Sequence, residues 1–236
     1  MKAYVDGVIA SGGKYIKAVI DAPAIIGGEL MDQSLLGEIV SYSHQKGVKV
    51  AAHATTIAAY KMAVACDVDI LIHIPLGEDF PAELAQEIAE KQIQVITTLV
   101  MMKGFADSPF YGYKKEDYNA AKEGVNLLKS NGVPILTGTD SNSTFFLPRV
   151  KHGSSLHKEM KLLAEAGLTP QQVLQSTTAV VASAFELENA GTITAGQKAA
   201  MILIKGRPDQ EIGDIDKIVQ IWIDGKPVLE NSSYAK

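Results

Sequence analysis

Val48-Lys49-Val50-Ala51-Ala52-His53 and, one helix pattern further on, Ile70-Leu71-Ile72-His73-Ile74 decide how this chain folds. Each run is apolar almost without interruption, so both faces of the strand it forms are fit for burial, which is the mark of parallel strands covered by helices. Each run also closes on a histidine. Working outward, the same rhythm recurs on both sides. Upstream lies Tyr15-Ile16-Lys17-Ala18-Val19-Ile20-Asp21, then a helix pattern with Leu35, Leu36, Ile39 and Val40 on one face, ended by Gly47. Between the two histidine runs a helix is expected from about Thr56 to Cys66, with Thr55 as its N-cap. Downstream, Asp79 and Pro81 open a helix carrying Leu84 and Ile88. A fourth run covers Gln94 to Val100, with Met101 to Tyr113 reading as loop. Tyr118, Ala121, Val125 and Leu128 mark the next helix, stopped at Asn131-Gly132, and the fifth run is Pro134-Ile135-Leu136-Thr137-Gly138-Thr139-Asp140. Two more helices follow, one with Leu156, Met160 and Leu163, the other opening at Thr169-Pro170.

From Gly191 the pattern changes. Thr192-Ile193, Ala200 to Ile204, Ile218 to Ile223 and Val228-Leu229 read as short strands, and Asp224-Gly225 is a hairpin signal. The expected division is therefore an α/β domain over residues 1–190 and a β appendage over 191–236.

Bulk properties narrow the function classes. The 236 residues suit one domain with a small appendage, and the net charge of −5 gives no sign of a nucleic-acid or anionic-membrane surface. Cys66 is the only cysteine, so no internal disulfide can form, and low cysteine use fits a reducing compartment. Met1 to Ala10 lacks the apolar core of a signal peptide, and no apolar run approaches the roughly 18 residues of a membrane helix. A cytoplasmic protein is expected.

The chemistry-bearing residues are the polar ones at strand ends: His53, His73 and Asp140, with Lys17 inside the first run. C-terminal strand ends form the site in barrels and open parallel sheets alike. Two imidazoles, a carboxylate and a lysine on one rim suit zinc or a similar divalent ion. Each has a plainer reading. A histidine ending a strand can be a hydrogen-bonded structural residue, Asp140 in Gly-Thr-Asp-Ser can be a turn or cap, and Lys17 can extend to solvent. Their recurrence at equivalent positions is the argument for a shared site. His152 and His157, in the loop and helix after Asp140, are candidates for touching substrate, or else solvated side chains; His44 reads as a surface cation in a last helical turn. The sequence has no Gly-x-Ser-x-Gly elbow, phosphate loop or CxxC.

Ala51-Ala52-His53-Ala54, Ile72-His73, Gly138-Thr139-Asp140, Ala166-Gly167-Leu168-Thr169-Pro170 and Gly191-Thr192-Ile193-Thr194-Ala195-Gly196, in that order, resemble the amidohydrolase superfamily, in its imidazolonepropionase-like and prolidase-like branch. The resemblance runs from Tyr15 to Leu229. It implies the last five strand–helix units of a metal-dependent (β/α)8 TIM barrel, followed by the C-terminal strands of a small β-sandwich. It implies hydrolysis of a C–N bond in a cyclic amide, an amide or a dipeptide-like small molecule, with one or two divalent ions, zinc foremost, as cofactor. Lys17 would match the fourth-strand lysine, which is carboxylated and bridges two metals in the binuclear enzymes. His53 and His73 would match the fifth- and sixth-strand ligands. Asp140 would match the eighth-strand aspartate, which binds metal and carries the proton of the attacking water.

The sequence departs from the family in several places. It contains no His-x-His, Ile74 follows His73 where relatives often have Gly, and Ala199-Ala200 replaces the usual Ala-Asp. Three expectations follow: the four rim residues converge; the chain alone binds metal weakly or not at all, with Lys17 an ordinary lysine; and the strands of Lys17 and Ile135 are open edges. Met1 to Ala10 could cover one edge, but cannot replace the missing units. A homo-oligomer, an additional N-terminal polypeptide, or an inactive subunit are the corresponding outcomes.

Overall fold

The computed structural model describes residues 1–21 and 30–228. Its centre is a parallel five-stranded sheet in the order of the chain: β1 (Tyr15–Val19), β2 (Lys49–His53), β3 (Ile70–Ile72), β4 (Gln94–Ile96) and β5 (Ile135–Leu136). Helices α1 (Lys2–Ala10), α2 (Gln33–Gln45), α3 (Ile57–Ala65), α4 (Ala82–Glu90), α5 (Leu99–Asp107), α6 (Asp117–Ser130), α7 (Ser154–Glu165), α8 (Pro170–Thr177) and α9 (Ala179–Ala184) connect and cover it. An antiparallel sheet of β6 (Met201–Ile204), β7 (Ile218–Ile223) and β8 (Lys226–Pro227) follows.

The register sorts each strand's residues onto two faces. Ile16, Ala18, Val50, Ala52, Leu71, Val95 and Ile135 point to the helices and belong to one continuous buried core with Leu36, Val64, Ile88, Val125 and Leu163. The opposite face carries Lys17 beside Ala51 and Ile70, and Val19 beside His53 and Ile72. Near the N-terminal strand ends and along β5 this face is covered: Ile70, Leu136, Ala182 and Ala184 are buried, α9 touches β5, and Phe185 packs edge-on against Tyr15. Toward the C-terminal ends and β1 it opens, leaving Val19 50% exposed. The continuous apolar runs thus have one face fully packed and the other only partly so. β1 and β5 are the edges of the sheet among the described residues.

Several local expectations are corrected. Met1 to Ala10 adds no strand to the sheet; Lys2–Ala10 is a helix that docks on α2, with Val5 in the core and Asp6 accepting from the Tyr42 hydroxyl at 2.9 Å. Thr56, not Thr55, caps α3, accepting from Ala59 N at 3.2 Å. The fourth run gives only three strand residues. From Leu99 the chain is helical, because Leu99, Met102, Phe105 and Ala106 fall on one buried face at helical spacing. Thr192-Ile193 forms no strand, the last strand among the described residues is Lys226–Pro227, and Leu229 lies outside them.

Gly138 holds the end of β5 close to β4. A Cβ there would stand 2.3 Å from Ile96 Cγ2, which is branched and cannot swing away. Gly138→Ala is therefore expected to destabilise the chain by about 1–3 kcal/mol through overpacking, read from urea unfolding.

Candidate active site

His53 ends β2 on the open face, where its register neighbours are Val19 and Ile72. Strict alternation would send His73, the residue after Ile72, to the helix side. It does not, because His73 has φ 79°, a left-handed backbone that re-aims the ring toward His53. The same device recurs at the ends of the next two strands. Thr98 has φ 49° and Asp140 φ 50°. Three non-glycine residues in this region, each costing about 1–3 kcal/mol, at three successive strand ends, indicate a rim held in place by its surroundings. The surroundings supply the restraints. His73 N donates to Ile96 O at 2.8 Å and its carbonyl accepts from the buried Tyr60 hydroxyl. The Asp140 carbonyl accepts from Asn142 Nδ2 at 3.2 Å.

The two imidazoles meet nitrogen to nitrogen. His53 Nδ1 and His73 Nε2 are 2.8 Å apart, with ring planes at 75°. Each far nitrogen faces an oxygen: His73 Nδ1 is 2.7 Å from Thr98 Oγ1, and His53 Nε2, buried and without a hydrogen bond, lies 3.8 Å from Asp21 Oδ1. Asp21 is itself fixed by Thr55 N, Thr55 Oγ1 and Thr56 Oγ1 at 2.9–3.2 Å. Burial lowers the pKa of both histidines. For His73, well below the usual value, the neighbouring His53 and Lys17 add to burial; for His53, Lys17 adds to it while Asp21 and Asp140 oppose. Both rings are neutral at pH 7, the form that binds metals or takes up protons.

Lys17 is exposed on the open face, one pleat before Val19. Asp140 is exposed at the rim beyond β5. Lys17 shares the open face with His53, the two histidines touch, and Asp140 follows the C-terminal end of β5. Among the described residues no three His, Cys, Asp or Glu side chains are close enough together to hold a metal ion. His152 is exposed in the loop before α7. His157 is engaged elsewhere, its Nδ1 3.0 Å from Asp216 in the turn between β6 and β7. His44 pairs with Asp69 at 2.9 Å.

Three residues of the site escaped the sequence reading. Asp21 closes the first apolar run, the same position from which His53 was singled out. Thr98 carried no signal. Glu159 lies on the Leu156, Met160 and Leu163 stripe of α7, and a carboxylate on an apolar stripe was the available clue. It is fully buried, accepts hydrogen bonds from Thr97, Leu99 and Val100, and its pKa is raised by burial to about 7.

Residues 6–228 match the family model described as the amidohydrolase family, and the chain belongs to that family. Its sheet is an arc of the family's barrel. Among solved structures it resembles an amidohydrolase at 24% identity and TM-score 0.80, covering 98% of this chain and 58% of that one. It also resembles a Xaa-Pro dipeptidase with methionine bound in its active site, at 22% identity and TM-score 0.78, covering 96% and 57%. A third is an A. niger ochratoxinase, at 18% identity and TM-score 0.77, covering 96% and 53%. The chain thus spans little more than half the length of these structures, and at such identities the likeness shows the fold alone. No curated protein matches the sequence. No described helix is long and apolar enough to cross a membrane.

Proposed function

We propose that this chain carries the later half of a metal-dependent amidohydrolase site, acting on the C–N bond of a cyclic amide, an amide or a dipeptide-like small molecule. The observation that carries the reading is the imidazole pair: two neutral rings with their near nitrogens 2.8 Å apart and their far nitrogens turned to Asp21 and Thr98. Metal-binding histidines typically present one nitrogen to the ion and the other to a carboxylate or hydroxyl that orients the ring. Two nitrogens on one tetrahedral zinc lie about 3.3 Å apart, given bond lengths of about 2.0–2.1 Å. A small spreading of the rings would meet that. The donor set therefore fits a divalent ion, with zinc the natural choice for nitrogen ligands, but as half a site.

In this reading His53 and His73 are ligands and Asp140 and Lys17 complete the rim. A bound ion would supply Lewis acidity and a water with a pKa lowered toward about 7. Asp140, exposed at the rim, accepts a proton from the attacking water and returns it to the leaving nitrogen. Lys17, uncarboxylated in the isolated chain, lends positive charge beside the rings. His152 is placed to meet substrate from the loop above; His157, paired with Asp216, is the weaker candidate. Residues 1–190 act as the barrel part, and 191–236 as strands of a small β-sandwich. The lone Cys66 accords with the reducing cytoplasm.

With two imidazoles in contact and the remaining donors apart, the chain alone should hold metal weakly, and turnover should need the rest of the barrel from a partner polypeptide. The partly open inner face favours this over an inactive relative, and also favours self-association. The test is a zinc titration of the chain followed by the histidine ring signals in NMR. Weak binding that shifts His53 and His73 and vanishes in His73→Ala is expected. Shifts confined to His44, His152 or His157 would refute the site, and stoichiometric zinc surviving a mild chelator would refute the weak binding.

A further inference from the structure

Helix α5 begins in an unusual way. A threonine at the N-cap ordinarily has extended backbone and turns its hydroxyl onto the free N–H groups of the first turn. Thr98 occupies that position with φ 49° and makes no such bond. Its hydroxyl points the other way, 2.7 Å from Nδ1 of His73. The orphaned amides of the first turn are taken instead by a side chain from another helix. Glu159 of α7 accepts from Leu99 N at 2.8 Å and Thr97 Oγ1 at 2.7 Å through Oε1, and from Val100 N at 2.6 Å through Oε2.

We propose that Glu159 is a positioning residue of the site: by capping α5 from the neighbouring helix it releases the Thr98 hydroxyl to orient the His73 ring. A carboxylate in a fully buried position with three converging donors costs desolvation, and burial raises its pKa accordingly. A hydrophobic residue on that stripe of α7 would pack without such cost. What the carboxylate alone provides is the alternative cap, and with it a left-handed Thr98. Without it the first turn of α5 has the ordinary remedy available, which is for Thr98 to adopt extended backbone, swing its hydroxyl onto Leu99 or Val100, and leave Nδ1 of His73 unpartnered.

The inference rests on His73 being a site residue, but its readout is the ring itself in metal-free protein, so it can fail while the metal reading stands. Histidine ring 15N signals would be recorded at about pH 8, where both imidazoles are neutral, for the wild type, Thr98→Val and Glu159→Gln. In Gln the amide nitrogen faces a donor, so one of the three bonds becomes a donor–donor clash. The expected result is that the wild-type His73 ring is held in one tautomer. Thr98→Val and Glu159→Gln should each shift it toward a mixture, with His44 unchanged. A residue acting only in stability would lower the unfolding midpoint and leave these signals in place. A folded Glu159→Gln whose His73 signals match the wild type, while Thr98→Val moves them, overturns the proposal. Should Glu159→Gln not fold, Glu159→Asp, which keeps the charge but shortens its reach to the Leu99 and Val100 amides, is read the same way: a shift in the same sense supports the proposal, and unchanged signals overturn it.

Discussion

Leu71→Ala is expected to destabilise the chain by about 2–5 kcal/mol, whereas Val19→Ala should stay within about 0.5 kcal/mol of the wild type. Both residues sit in the same sheet. Leu71 points to the helices, is fully buried, and belongs to the continuous core. Deleting its side chain removes the transfer free energy of the lost methyl groups and leaves a cavity that α3 and α4 cannot fill without moving. Val19 points to the other face, where half its surface already meets solvent. Urea unfolding at low protein concentration measures both. A Val19→Ala cost approaching that of Leu71→Ala would mean that the inner face is packed, and a concentration-dependent cost would identify a second copy as what packs it.

In the presence of a chelator, stability should fall as pH drops from about 6.5 toward 5, by up to about 1.4 kcal/mol per pH unit. His53 and His73 have lowered pKa values in the folded chain, so the unfolded state binds more protons below its own value near 6.5. Their contribution is fully present above 6.5 and is lost as pH falls toward their folded values. Two protons would give a slope of about 2.7 kcal/mol per unit. Glu159 acts in the opposite sense. Its folded pKa is raised from 4.5 to about 7, so its contribution is present below 4.5 and is lost as pH rises through 7, which offsets about one proton in the same window. Denaturant unfolding across pH 5–7.5 reads the net slope. Glu159→Gln should steepen it and His53→Gln should flatten it. A wild-type stability that rises on acidification through this window would show that the two imidazoles are not buried neutral.

The sequence by itself determined the strand–helix rhythm, the parallel sheet and the histidines at its rim. These are local properties: an apolar run between helix patterns has few other ways to bury itself, and Ile70 to Ile74 reads as a buried strand whatever lies elsewhere. The family's motifs, read in order, gave the expectation that Lys17, His53, His73 and Asp140 share one rim. What only the tertiary structure decided is how these residues face one another. Alternation along the strand would turn His73 away from His53, and it is the left-handed backbone at His73, Thr98 and Asp140 that reverses this. None of the three is glycine, and although His and Asp adopt this conformation more readily than most residues, neither requires it. It persists because distant groups restrain it: the Tyr60 hydroxyl from α3 on the His73 carbonyl, and the Glu159 carboxylate from α7 on the first turn of α5. The helix at Leu99–Asp107 was missed for a related reason, its start being capped from sixty residues away along the chain rather than by its own threonine. Local sequence specifies what an element is; the orientation of a polar side chain at its end depends on hydrogen bonds that exist only once the helices have packed.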